Sequence, residues 1–218
     1  MFHKIELFLL LILLIVITVR CQKNILFLVA DDLRPNLGSY NDANSEIFKQ
    51  PPMYTPNLDA LAGKSLLFEK GYDAVALCNP SRTATLTSRR PDTTKITRIG
   101  PYWRNYGGNF TTMPQFFKEN GYTTIGAGKV FHKGSSSDNH DCKYSWSVCP
   151  FYDAQNHIHG VRHSWMAINQ TVLEETPLVD TTNANYIIEK LQQASKMSKS
   201  GGPPFFISLG VHKPHTPW

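Results

Sequence analysis

What is scarce in this 218-residue chain narrows its class before any motif is read. No block of Lys and Arg with interleaved aromatics occurs, which removes the usual footprint of a nucleic-acid binder. No segment combines low hydrophobicity with high net charge, so a disordered tail has no support. No internal repeat is evident. No cysteine accompanies the histidines of "HKPH" at residues 212–215, so the ligand pattern of a structural zinc module is missing there. Long apolar runs are also lacking, apart from the stretch from Leu7 to Val19 behind Lys4. A run that short after a basic start reads as a secretory signal peptide over residues 1–21, not as a membrane span. An uncleaved signal anchor is the alternative; either way the rest of the chain enters the secretory pathway, with no stable membrane insertion expected.

What is present fits one ordinary domain, residues 22–218. At 41% hydrophobic and 11% aromatic the chain can fill a core. The net charge of +5 suits an anionic ligand or a scattered solvated surface equally well. In a secretory compartment the sequons at Asn109 and Asn169 become candidate glycosylation sites. Oxidation there favours pairing of Cys142 with Cys149, which flank a short polar loop. With Cys21 leaving in the signal, Cys78 is the odd thiol: a buried core residue or a nucleophile.

Hydrophobic patterning alternates strands with helices, the mark of an α/β sheet flanked by helices. "NILFLVADD" (24–32) reads as a strand buried on both faces, ending in two acids where open α/β sheets place ligands. A helix follows in "TPNLDALAGKSLLF", capped by Thr55 or Asn57, then a strand in "FEKGYDAV" and a helix from about 81 to 88. A helix over 114–119 stops at Gly121 and leads into a strand through Ile125. Residues 133–182 read as irregular, a helix spans 182–194, and "FFISLGV" is another buried strand.

Four polar clusters stand out. Asp31 and Asp32 repel, so at least one stays protonated unless a cation lies between them; a hard divalent ion or a simple turn pair both account for "DD". "GKVFH" supplies Lys129 to hold an oxyanion and His132 to exchange protons near neutrality. "HKPH" offers a metal site or, through one His, general acid chemistry. "CNPSR" places Cys78 four residues before Arg82, too close for the amide loop of a cysteine phosphatase.

Taken together these clusters resemble the sulfatase family. C-x-P-S-R is similar to its first signature, whose cysteine is oxidised to formylglycine, and "GYTTIGAGKVFH" to its second. "NILFLVADDLRPNLGSY" resembles its metal-binding first strand. "RRPDTT", "YWR", "GNFTTMPQFFKENGY", "YSWS" and "HKPH" follow in the order found in family members that remove the 2-O-sulfate of iduronate in heparan and dermatan sulfate. Asn79, after the cysteine, and Ser88, where glycine is common, depart from the pattern.

The resemblance implies the N-terminal part of an alkaline-phosphatase-like sandwich with a largely parallel or mixed sheet. It implies one Ca²⁺ held by Asp31, Asp32 and the modified Cys78, and a formylglycine made by the formylglycine-generating enzyme. Arg82, Lys129, His132 and His215 would be catalytic, and His212 supporting. The substrate would be a sulfated glycosaminoglycan and the destination the lysosome, or secretion. An Asp-His-Gly metal segment and a further lysine are expected beyond Trp218, so the chain reads as a fragment without normal activity. Another sulfatase specificity, a phosphate-ester hydrolase of the same fold and a non-catalytic glycan-binding protein are the competing readings.

Overall fold

The computed structural model describes residues 22–40, 51, 53–152 and 164–216; the expected signal segment 1–21 and Trp218 lie outside them. The apolar run after Asn24 forms β1 (Ile25–Ala30), followed by α1 (Pro56–Ala62) and α2 (Cys78–Thr87). Three short helices come next: α3 (Pro91–Thr94), α4 (Trp103–Tyr106) and α5 (Met113–Glu119). Then β2 (Thr123–Gly128), α6 (Asp138–Ser145), α7 (Gln170–Glu175), α8 (Val179–Lys199) and β3 (Phe205–Val211) complete the order.

The three strands form one parallel sheet in the order β1-β3-β2, with Ile25 opposite Phe206 and Thr123 opposite Phe205. Parallel neighbours need a crossover, and α8 supplies it between β2 and β3. The period of two in β3 divides the core. Phe205, Ile207 and Leu209 point to Ile187 and Ala194 of α8, while Phe206 joins Trp103, Phe131, Trp146 and Leu86 on the other face. Sheet and flanking helices make the α/β architecture that the sequence pattern implies.

Four sequence expectations need correction. β1 is not buried on both faces: Leu26 and Leu28 are 47% and 55% exposed, and only its alternate residues Ile25 and Phe27 pack against the core. "FEKGYDAV" forms no strand; residues 68–74 are all exposed, so pairing there would bury nothing to offset its ordering cost. α2 begins at Cys78 itself, because Pro80 is tolerated within the first turn, where its missing N–H has no intrahelical partner to lose. Residues 133–182 are not uniformly irregular: they contain α7 and the later, helical part of α6, whose first residues 138–141 are left-handed.

Two glycines let β2 and β3 end side by side. A Cβ on Gly210 would lie 2.0 Å from the Lys129 carbonyl carbon, and one on Gly128 would lie 2.2 Å from the Gly210 oxygen, with Gly128 also at a φ of +67°. The close approach allows the Lys129 N–H to donate to Gly210 O at 2.7 Å. This fixes where the Lys129 side chain leaves the sheet.

Candidate active site

The C-terminal ends of β1, β2 and β3 converge with the N-terminus of α2, where an open parallel sheet presents its ligand crevice. Asp31 follows β1, its N–H donating to Val211 O at 3.0 Å, and its side chain is 5% exposed. Arg82 Nη2 donates to its Oδ1 at 2.6 Å, and Lys129 Nζ donates to Oδ2. Burial raises the Asp31 pKa, but the hydrogen bonds and charges of Lys129 and Arg82 outweigh it and hold the carboxyl below its usual range. The repulsion expected between the two aspartates is thus relieved by protein cations on Asp31, while Asp32 remains exposed at a φ of 56°.

Cys78 is the free thiol among the described residues. Its Sγ stands 3.8 Å from Asp31 Oδ1, and Lys129 Nζ stands 3.6 Å from the sulfur. The position of Cys78 at the first turn of α2 turns the positive end of that helix toward the site. Arg82, one turn along, also donates to the Lys129 and Val130 carbonyls and so ties α2 to the end of β2. A cleft of about 490 Å³ opens beside this cluster, lined by Asp31, Asp32, Cys78, Arg82 and the exposed Asp73 among others.

Three histidines surround the cluster. The ring of His132 donates from Nδ1 to Lys133 O at 3.1 Å, leaving Nε2 to accept a proton. Burial draws its pKa below the ordinary value, and Lys129 and Arg82 push the same way. The rings of His212 and His215 lie 4.7 Å apart between centroids, tilted by 44°, and His215 Nε2 lies 3.8 Å from Asp32 Oδ2. His212 is also shifted down, by burial first and then by Lys129 and His215.

The carboxylates of Asp31 and Asp32 and the sulfur of Cys78 lie within 4.8 Å of one another, so the expected metal residues come together. Oxygen donors of this kind, with an oxygen in place of sulfur at position 78, fit a hard divalent cation.

Several supporting residues carry no motif of their own. Asp180, in the first turn of α8, accepts from the His212 N–H at 2.7 Å and the Lys213 N–H at 2.9 Å, clamping the "HKPH" turn. The acid at a helix start was a readable signal; its partner 32 residues away was not. Asn79 is 2% exposed and donates from Nδ2 to the Arg98 and Pro101 carbonyls, which explains a residue larger than usual beside Cys78. Buried Asp141 receives Arg104 through Nε at 2.7 Å and Nη2 at 2.8 Å, together with Tyr102 and Ser145 hydroxyls. That network braces a left-handed run over 138–141, just before which the Ser137 hydroxyl donates to the His132 carbonyl at 2.6 Å.

Cys142 and Cys149 are joined as a disulfide. Asn109 and Asn169 are both exposed, and Asn169 caps α7 through its Oδ1. Among the described residues no helix is long and apolar enough to cross a membrane.

Comparison with known proteins places this geometry in context. Human (Homo sapiens) iduronate 2-sulfatase is 40% identical over 208 residues, covering 89% of this chain and 36% of the human protein. The mouse (Mus musculus) iduronate 2-sulfatase is 39% identical over 207 residues, covering 89% of this chain and 35% of the mouse protein. Human N-acetylgalactosamine-6-sulfatase is 30% identical over 217 residues, covering 89% of this chain and 40% of that protein. The chain therefore spans little more than a third of the length of these curated relatives. Since the sulfatase family model matches residues 23–218, the whole of the sheet and its polar cluster, the chain belongs to the sulfatase family.

Proposed function

We propose that this chain carries the nucleophile half of a sulfuric ester hydrolase acting on the 2-O-sulfate of iduronate in heparan and dermatan sulfate. The observation that supports the reaction class is Cys78 at the head of α2, within reach of Asp31 and Lys129. The relatives named for iduronate 2-sulfate support the substrate. Formylglycine at position 78, once formed, would supply a hydrated aldehyde whose two hydroxyls provide the nucleophile for sulfur and the proton whose loss releases sulfate. Asp31, Asp32 and residue 78 would hold Ca²⁺, which would supply positive charge against the sulfate oxygens.

The chain's own side chains divide the remaining work. Lys129 reaches residue 78 and the space beside it, so its ammonium stabilises negative charge as it develops. Arg82 holds the Asp31 carboxylate in place. His132, its Nδ1 committed to a carbonyl, presents Nε2 as the base that takes the second hydroxyl's proton. His215 contacts sulfate or protonates the leaving oxygen. Among the described residues these three protein donors fall short of the roughly six to eight oxygens that Ca²⁺ takes. The 218 residues alone are therefore proposed to bind it weakly and to lack normal turnover. Synthesis in the secretory pathway, lysosomal or secreted destination, and glycans on Asn109 and Asn169 complete the reading.

Peptide mass spectrometry across Cys78 in natively secreted protein tests it. The expected peptide is lighter than the cysteine form and resists thiol alkylation. Complete retention of an alkylatable thiol overturns the proposal. Assay of the mature, formylglycine-bearing protein on defined sulfated disaccharides then separates iduronate 2-sulfate from other sulfatase substrates.

A further inference from the structure

We propose that Arg98 and Lys133 form a cationic rim beside residue 78 that reads a second sulfate, carried by the sugar adjoining the one attacked. This substrate requirement rests on the sulfuric-ester reading of the site and deepens it. Both side chains are exposed, and among the described residues neither meets a carboxylate. Neither helps to hold the nucleophile, since Arg82 and Lys129 already occupy both oxygens of Asp31.

The backbones that carry these two cations are fixed from inside the protein. Asn79, next to Cys78 and 2% exposed, donates from Nδ2 to the Arg98 carbonyl at 3.1 Å and the Pro101 carbonyl at 3.0 Å. Between them Gly100, at a φ of 113°, donates its N–H to the Ser136 hydroxyl at 2.9 Å. Ser136 is itself 2% exposed and ends the short turn Gly134–Ser136 that Lys133 precedes. One buried hydroxyl thus joins two loops. The first brings a guanidinium beside the nucleophile, and the second brings an ammonium beside His132. The Lys133 ammonium also lies 5.8 Å from the centroid of the Tyr152 ring, which favours a position over that face. A backbone ordered in advance lowers the cost of binding. Like charges gathered without a counter-charge raise the positive potential around the site, with buried Arg82 and Lys129 behind them. Lys129 serves the sulfate under attack, so a guanidinium fork outside that cluster fits a different oxyanion. A multiply sulfated oligosaccharide offers one; a sugar with a single sulfate ester does not.

The test is calorimetric binding by the natively secreted chain, with synthetic disaccharides of 2-O-sulfated iduronate joined to glucosamine as probes. The N-sulfated disaccharide is expected to bind about tenfold more tightly than its N-acetylated counterpart, as one charge-assisted hydrogen bond provides. Arg98→Gln combined with Lys133→Gln is expected to bring that ratio to about one. Arg89→Gln combined with Arg90→Gln, beyond the opposite end of α2, is expected to leave it unchanged. Both rim side chains are exposed, and an unchanged urea midpoint shows that the double variant folds. A ratio near one in the parent, a ratio that survives the double rim variant, or no binding at millimolar disaccharide overturns the proposal. Retention of the Cys78 thiol would overturn the hydrolase reading and leave this ratio in place, so the two failures are told apart.

Discussion

At the scale of single residues, Asp31 holds the site together electrostatically. Both its oxygens are engaged, one by Arg82 and one by Lys129, with all three side chains nearly buried. Removing one partner of such a set leaves uncompensated charge away from water. Asp31→Ala is expected to cost roughly 3 kcal/mol or more in urea denaturation, and adding Lys129→Met is expected to recover part of it. Ser88 is a different kind of residue, strained by backbone alone. It ends α2 at a φ of 53°, donating its N–H to Ala84 O, in a conformation that favours glycine. Ser88→Gly is expected to stabilise the chain by about 1 kcal/mol, read as a raised denaturation midpoint with an unchanged slope.

At the scale of elements, the active side chains are placed by connections between secondary structures. Lys129 depends on the contact of Gly128 with Gly210, and His132 on the Ser137 bridge from the braced turn before Cys142. The "HKPH" turn depends on α8. Asp180→Asn keeps one accepting oxygen but sets an amide NH₂ against a backbone N–H, losing a charge-assisted bond. Hydrogen exchange at His212 and Lys213 is expected to quicken by about tenfold or more, while exchange in the middle of β3 stays as in the parent. Acceleration spread evenly over β3 would instead mean a global loss of stability.

For the whole molecule, acid stability follows from buried imidazoles. His140 is 6% exposed, its Nδ1 has no partner among the described residues, and burial lowers its pKa from 6.5 to about 4, helped by His132 and Lys133. A lowered histidine pKa means that the unfolded chain takes up the proton first. The stability tied to neutral His140 is fully present above about pH 6.5 and is lost as pH falls toward 4. The loss amounts to roughly 3 kcal/mol across that window. Denaturation midpoints at several pH values are expected to fall over that range, and His140→Asn, which tolerates the φ of 59° at this position, is expected to flatten the curve.

The sequence by itself determined the strands that carry the site, because continuous apolar runs such as "FFISLGV" leave few other ways to bury themselves. It also determined the chemical character of residues 31, 32, 78, 82, 129, 132 and 215, since motif spacing is a local property. The tertiary structure decided what those groups do to one another. That Lys129 and Arg82 neutralise Asp31, that Asp180 clamps a turn 32 residues away, and that His215 lies against Asp32 are long-range facts. No period or spacing encodes them. Electrostatic and hydrogen-bond energies depend on separation in space, and only the folded sheet sets that separation.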